Sequence, residues 1–140
     1  MYEFSELTVG TSLNELDKLV KQENINAYAE ASGDKNPIHL DPEFGKKMQL
    51  GGTIAHGMII LAYVSEFMLV NFGPDWLTAG NMNIRFKEPA KPGDSVIISG
   101  KVTGIVKDSN YTGITCEVIC RNQKEQVIIT GDTKVRLKTG

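Results

Sequence analysis

Two side chains that can exchange protons lie five residues apart in the first third of the chain. Asp34 and His39 enclose Lys35-Asn36-Pro37-Ile38, in which Pro37 restricts its own backbone and keeps Asn36 out of helical geometry. The pattern predicts a stiff loop. General acid–base catalysis needs both groups within about 2.6–3.2 Å of one water or substrate proton, and imidazole exchanges protons near neutral pH. The spacing therefore indicates an acid–base pair.

Structural interpretations of the same residues stay open on spacing alone. Asp34 also fits a turn residue that bonds its own backbone, and Asn36-Pro37 fits an ordinary turn start. His39 also fits a half-buried histidine whose hydrogen bonds are satisfied. Composition and spacing by themselves thus reach an α+β domain with a candidate acid–base loop.

The segment that leads into this loop has a helical period. A short helix is predicted over residues 25–32, with Gly33 at its end. The apolar residues before it also follow a helical rhythm and predict another helix, with a twisted edge strand as the alternative. Those residues are Leu13, Leu16, Leu19 and Val20.

The stretch His56–Phe72 is apolar almost all round. A helix with almost no polar face is expected to be buried on nearly every side. Gly73-Pro74 predicts where that helix ends.

The second half of the chain alternates apolar and polar residues with the period of half-buried strands. Four consecutive strands joined by short turns predict an antiparallel meander. The simplest architecture curls a sheet of four or five strands round the apolar helix. Because a single sheet keeps exposed edges, pairing with a second copy of the chain is expected. The inward-facing residues are Met82, Ile84 and Phe86; Val96, Ile98, Gly100 and Val102; Ile114, Cys116, Val118 and Cys120; and Val127, Ile129, Val135 and Leu137.

Composition limits the classes of function. The 140 residues predict one domain over residues 1–140. Lys and Arg number 15 against 17 Asp and Glu, and this net charge of −2 predicts no nucleic-acid partner and no anionic membrane surface. The N-terminus lacks the order of a signal peptide, and the longest apolar run is too short to span a bilayer. We expect a cytoplasmic protein.

The two cysteines agree with that compartment. Cys116 and Cys120 lie on one predicted strand with α-carbons about 13 Å apart, which is too far for a disulfide. They are expected to be buried thiols, as is usual where thiols stay reduced. With two histidines and no close Cys/His spacing, no structural zinc site is predicted.

Three motifs occur in order along the chain. They are Ala31-Ser32-Gly33-Asp34-x-Asn36-Pro37-Ile38-His39, then Ile54-Ala55-His56-Gly57-Met58, then Phe86-Lys87-x-Pro89 with Gly93-Asp94. In this order they resemble the MaoC-like family of fatty acid metabolism, the (R)-specific enoyl-CoA hydratases or hydratase 2 proteins. The resemblance covers about residues 11–138. It implies a hot-dog fold, an antiparallel sheet wrapped around a long central helix, and a homodimer.

The resemblance also implies the chemistry. In the family, residues matching Asp34 and His39 hold a water that adds across the C2=C3 bond of a trans-2-enoyl thioester. The product is a (3R)-3-hydroxyacyl thioester, and the reverse reaction is a dehydration. His39 is expected to take the proton of the water, while Asp34 positions the water or delivers a proton to C2. Which of the two protonates C2 stays open. Gly57 matches the oxyanion-hole glycine, whose N–H would stabilise charge on the thioester oxygen.

Lesser roles follow for three other residues. Asn36 is expected to scaffold the loop beside the active site. Ser65 matches a small polar position near the family's active site, and a helix serine bonded to a backbone carbonyl is the alternative. His56 matches a family histidine and is expected to be structural, at the start of the apolar helix.

Substrate contacts and partners complete the expectations. Arg85 and Lys87 alternate with the apolar residues of their strand, so they are candidates for the coenzyme A phosphates or part of a solvated face. No cofactor is expected beyond the coenzyme A of the substrate, and acyl carrier protein is the alternative carrier. The other functions to weigh are a hot-dog thioesterase and a non-catalytic acyl-CoA-binding module. The Asp34/His39 pair favours hydration, because many hot-dog thioesterases lack this histidine.

Overall fold

A computed structural model describes residues 6–138. Its strands are β1 Leu16–Leu19, β2 Gly80–Phe86, β3 Ser95–Lys107, β4 Tyr111–Arg121 and β5 Val127–Lys138. Its helices are α1 Gln22–Ser32, α2 Pro37–Leu40, α3 Pro42–Lys47, α4 Gly57–Phe72 and α5 Asp75–Ala79. The strands form one antiparallel sheet in the order β1-β3-β4-β5-β2.

The helix α4 packs against one face of this sheet. The alternating residues of β3, β4 and β5 supply a continuous apolar surface, because successive side chains of a strand point to opposite faces. Gly100 lies under the helix, where an added Cβ would be 2.7 Å from the Glu117 carbonyl oxygen and 3.4 Å from the Phe67 ring. The predicted α+β architecture of a sheet around one long helix is confirmed. The most deeply buried apolar side chains of the helix are those of Ile60, Val64, Phe67, Met68 and Phe72.

The predicted meander is correct for β3, β4 and β5 and wrong for β2. The strand β2 pairs with β5, with Phe86 opposite Ile129, and not with β3. The proline-bearing segment 87–94 does not turn back as a hairpin. It passes the start of α4, where the Ala90 carbonyl accepts a hydrogen bond of 2.8 Å from the Ala55 N–H. The chain therefore crosses from the edge strand β2 to β3 on the other side of the sheet, next to β1.

The N-terminal apolar residues form a strand, so the predicted first helix is wrong and the edge-strand alternative is correct. Leu16 pairs with Ile98, and Leu19 pairs with Ser95. The apolar spacing of these residues suits a helix, but backbone hydrogen bonds to the edge of β3 stabilise a strand instead. The second predicted helix is confirmed as α1, and Gly33 ends it with a left-handed φ of 79°.

Two predictions about burial are wrong. The helix α4 is not covered on every side, because the sheet encloses one face and leaves Met58 54% and Val70 47% exposed. Phe86, predicted to face inward, is 54% exposed. It ends the edge strand β2 and rests on the start of α4, so the sheet does not cover it. The molecule thus carries apolar surface along α4 and at the end of β2.

The cysteines behave as predicted. Cys116 and Cys120 are free and buried on β4. Burial raises the pKa of Cys116 from 9.0 to about 11 and that of Cys120 to about 12, because an apolar environment disfavours the thiolate. Within residues 6–138, no helix combines the length and apolar character that crossing a bilayer would need.

Candidate active site

The segment between α1 and α2 is built by local side-chain hydrogen bonds. Asn36 caps α2, because its Oδ1 accepts the Ile38 N–H at 3.2 Å and Pro37 occupies the first helical position. His39 therefore lies on a short helix rather than on the loop that the sequence predicts. The cap holds the backbone that carries His39, which agrees with the scaffolding role expected for Asn36.

Asp34 and His39 converge. The Nε2 atom of His39 lies 4.0 Å from Oδ2 of Asp34, and the two side chains are 9% and 54% exposed. With hydrogen bonds of about 2.8 Å from each group, this separation corresponds to an angle of roughly 90° at one shared oxygen. The gap therefore fits a single water that bonds both groups.

The hydrogen bond on the other side of the His39 ring determines its tautomer. The Nδ1 atom lies 2.8 Å from the Ile54 carbonyl oxygen, which can only accept. A proton is therefore on Nδ1, and in the neutral ring Nε2 presents a lone pair toward Asp34. Ile54 also donates its own N–H to the Ile38 carbonyl at 3.0 Å, so the two segments hold each other in register. The ring is oriented as a proton acceptor.

Gly57 places a backbone donor beside this pair. It is the first residue of α4, and the first N–H groups of a helix have no partner within that helix. His56 precedes it and makes no side-chain capping bond, while the helix dipole is positive at this end. A Cβ at position 57 would lie 2.9 Å from Cε1 of Phe86. The absence of a side chain thus lets the Phe86 ring rest against the helix start.

A cavity of about 260 Å³ joins His39 to Gly57, and Asp34 is not among the residues that line it. His39 and Gly57 line it, and Lys87 and Glu88 are the charged residues in its wall. The other walls are mainly apolar, so the cavity suits an apolar or thioester group with a charged portion outside. Its remaining lining residues are Ile54, Ala55, Ile60, Phe86, Pro89, Ala90 and Ile128.

Two other predicted residues lie elsewhere. Arg85 lines a separate depression on the outer face of the sheet, with Glu117 and Asp132. Ser65 accepts a hydrogen bond of 2.9 Å from the indole N–H of Trp76. It is eight residues along α4 from Gly57, or about 12 Å at the helical rise. Within one chain, the structure does not bring either residue to the cavity that His39 lines.

Sequence reasoning missed two contributors. Ile54 acts through its backbone carbonyl, for which the sequence holds no side-chain signal. The alternation of β2 predicts an interior Phe86, whereas its ring covers Gly57 at the cavity. The motif Phe86-Lys87-x-Pro89 was the available signal, because it occurs with the other two motifs.

A cation site is the other use that the site residues suggest. Asp34, His39 and His56 each place one ligand atom within 4.8 Å of the others. The two rings stack with centroids 3.8 Å apart and planes 25° apart, so their in-plane lone pairs run side by side instead of converging. One nitrogen of each ring also bonds a backbone carbonyl. The geometry suits proton transfer better than tetrahedral coordination of a metal.

Comparisons with known proteins agree with the motifs. A family model described as "MaoC like domain" matches residues 5–123. Since this match covers most of the chain, the chain belongs to the MaoC-like domain family, and the resemblance stated above is confirmed.

Individual relatives extend over nearly the whole chain. An "(R)-specific enoyl-CoA hydratase" of Rhodospirillum rubrum is 26% identical over 135 residues, 96% of this chain and 91% of the relative. A "3-hydroxybutyryl-CoA dehydratase" of Methylorubrum extorquens is 24% identical over 134 residues, 96% of this chain and 83% of the relative.

A solved structure supports the same fold. The (R)-hydratase of A. caviae involved in PHA biosynthesis superimposes with a TM-score of 0.78 and 28% identity. The match covers 94% of this chain and 98% of that one. The hot-dog fold predicted from the resemblance is therefore confirmed.

Proposed function

We propose that the protein is a hydro-lyase that adds water to trans-2-enoyl-CoA, giving (3R)-3-hydroxyacyl-CoA, or catalyses the reverse dehydration. The observation that carries this proposal is the 4.0 Å separation of His39 Nε2 and Asp34 Oδ2 beside the N-terminus of α4. The named activities of the relatives from Rhodospirillum rubrum and Methylorubrum extorquens support the same reaction class.

The reaction follows from the orientation of these groups. A water held by both side chains donates a proton to the free Nε2 of His39 as its oxygen bonds C3. The π electrons of the C2=C3 bond move through C2 to the thioester oxygen. C2 then recovers a proton from the His39/Asp34 pair, and the pair returns to its starting state. One water is consumed, and no oxidant or reductant is required.

The backbone N–H of Gly57 is the proposed hydrogen-bond donor to the thioester oxygen. This N–H lies at the positive end of α4, and the negative charge that develops on the thioester oxygen needs such a donor. One donor of this kind typically lowers a barrier by about 2.7–4 kcal/mol. The apolar walls around it strengthen the hydrogen bond by keeping water away.

The structure supports the other predicted substrate contacts to different degrees. Lys87 lies at the cavity and is the proposed contact for a coenzyme A phosphate, or for the carrier group if the substrate is acyl-ACP. Arg85 faces the separate depression, so a phosphate contact would need the substrate to extend over the sheet. Ser65 is bonded to Trp76 and could reach a site only across an interface between chains. Coenzyme A within the substrate is the only cofactor proposed.

We also propose that the protein is a homodimer, acting as one domain over residues 1–140. The strand β2 is an edge strand with one paired side. Phe86 at its end and Met58 on α4 are each more than half exposed. A second copy would pair the open edge and cover these apolar groups. Because both cysteines are free thiols, the proposed location is the cytoplasm.

The test is the incubation of wild-type protein with crotonyl-CoA. We expect the conjugated enoyl absorbance to fall with no release of free thiol, and the product to be the (3R) enantiomer. Release of free thiol would contradict the proposal and indicate a thioesterase, because hydrolysis frees the coenzyme A thiol whereas hydration leaves the thioester intact. Binding of crotonyl-CoA with neither change would indicate a non-catalytic acyl-CoA-binding module.

A further inference from the structure

The four residues Ile54–Gly57 contact both members of the acid–base pair. The Ile54 carbonyl accepts the Nδ1–H of His39 at 2.8 Å. Two residues later, His56 Nε2 lies 2.8 Å from the backbone carbonyl oxygen of Asp34 and donates to it. The segment ends at the proposed oxyanion donor. One short stretch of chain therefore relates all three groups in space.

The ring of His56 is enclosed between two other rings. It is 2% exposed. His39 stacks on it with centroids 3.8 Å apart, and Tyr28 meets it edge-on with centroids 4.7 Å apart. The stack limits how far the His39 ring can tilt, because interior side chains are closely packed.

The second nitrogen of His56 indicates its charge state. Among the described residues, Nδ1 of His56 is the buried side-chain nitrogen or oxygen without a hydrogen-bond partner. A lone pair in that place is tolerated at a modest cost, whereas a charged N–H without an acceptor would be strongly disfavoured. Since Nε2 carries the proton that Asp34 accepts, the ring is neutral.

We propose that His56 is a positioning residue for the hydration reaction: it holds Asp34 through its backbone carbonyl and His39 through the stacked ring. This inference rests on the function proposed above and goes beyond the structural role expected from the sequence. Asp34 lies on an exposed segment, so the bond from His56 ties that segment to the buried start of α4. The 4.0 Å gap that receives water depends on both contacts.

The neutral ring has a second consequence during turnover. His39 becomes an imidazolium when it accepts the proton of the water. The adjacent face of an uncharged aromatic ring attracts that cation, whereas a charged ring would repel it.

The two contributions can be separated by substitution. His56→Phe keeps a flat ring and removes the N–H donor, and we expect kcat to fall about 100-fold with little change in KM. His56→Gln supplies an amide N–H near the place of Nε2, and we expect it to restore part of that kcat. A kcat of His56→Phe within about twofold of wild type would overturn the proposal.

Tyr28→Leu is the matched control. It removes packing from the other side of the same ring and leaves the hydrogen bond to Asp34 in place. We expect a lower Tm with little loss of kcat. If Tyr28→Leu reduces kcat as much as His56→Phe at an equal loss of Tm, the effect is general packing and the proposal fails.

A measurement on the wild-type protein does not depend on activity or on the folding of variants. The chain contains two histidines, so ¹⁵N-detected ring spectra contain two imidazoles. We expect His39 protonated at Nδ1 and His56 protonated at Nε2. A charged His56, or one protonated at Nδ1, would overturn the proposal. If the wild-type protein does not hydrate crotonyl-CoA, the proposed function is contradicted. If the wild type is active and His56→Phe has an unchanged kcat, only the role inferred for His56 is contradicted.

Discussion

The sheet β3–β5 and the site segment 33–57 are held together in different ways. In the sheet, ten of the eleven residues of β4 pair with both neighbours, and its inward-facing apolar side chains are almost fully buried. In the site, a few hydrogen bonds position Asp34 and His39, and Asp34 is half exposed. In the sheet, neighbouring pairs and packed side chains compensate for the loss of one contact. In the site, the same loss changes the relative positions of Asp34 and His39. Stability and chemistry should therefore respond to different substitutions.

The largest effect is expected for His39→Ala. It removes the proton acceptor, and hydration of crotonyl-CoA should fall by about 10⁴-fold, the upper range for general acid–base catalysis. The melting temperature should change much less, since the sheet is untouched. Stopped-flow decay of the enoyl absorbance measures the rate, and circular dichroism measures the fold. An unchanged rate would exclude His39 as a catalyst.

The next effect contrasts two nearby aspartates. Asp34→Asn should reduce the rate about 10³-fold, because the charge that positions the water is lost. The Tm should change little, because the side chain is half exposed. Asp41 caps α3 by accepting the N–H groups of Glu43 and Phe44. Asp41→Ala should therefore cost about 1 kcal/mol of unfolding free energy and leave kcat unchanged. Equal rate losses in both variants would contradict the assignment of Asp34.

The sheet side of the comparison is tested at Phe67, which is fully buried between α4 and the sheet. Phe67→Ala should lower the unfolding free energy by roughly 3–4 kcal/mol through lost burial and a cavity. Urea unfolding measures this, and Phe67→Leu is the milder control. Activity per folded molecule should stay near wild type in both variants. A rate loss without a stability loss would contradict the separation of the two regions.

The smallest effect concerns pH and the buried thiols. The folded pKa of Cys120 is raised from 9.0 to about 12, so the unfolded thiol ionises first as pH rises. The neutral Cys120 thiol therefore contributes fully to the free energy of unfolding below about pH 9. Above that pH the contribution decreases, by about 1 kcal/mol at pH 10. Unfolding free energy measured from pH 8 to pH 10 should fall more steeply in wild type than in Cys120→Ala. Equal slopes would contradict the raised pKa.

The sequence predicts local features well where a residue's own chemistry decides the outcome. Gly33 ends α1, the alternating residues of β3 and β4 form strands, and the motif around Asp34 and His39 identifies the family. The convergence of the pair also agrees with the prediction from Pro37 and Asn36.

The predictions that prove wrong concern segments whose structure depends on contacts with residues distant in the sequence. Leu16–Leu19 becomes a strand because β3 offers an edge, and β2 pairs with β5 because the segment 87–94 passes the start of α4. Phe86 lies outside because its partner is the bare backbone of Gly57. The role of Ile54 is invisible in the sequence, since a backbone carbonyl is common to every residue.

That carbonyl has a consequence for how the protein can diversify. The Ile54 carbonyl orients the His39 ring, and Ile54 is also one of the residues that line the cavity. Exchanging the side chain for a larger or smaller apolar one would reshape the space for the acyl group without removing the atom that orients the imidazole. Selectivity can therefore drift at this position independently of the reaction, and Ile54 is a natural first site for redesigning chain-length preference.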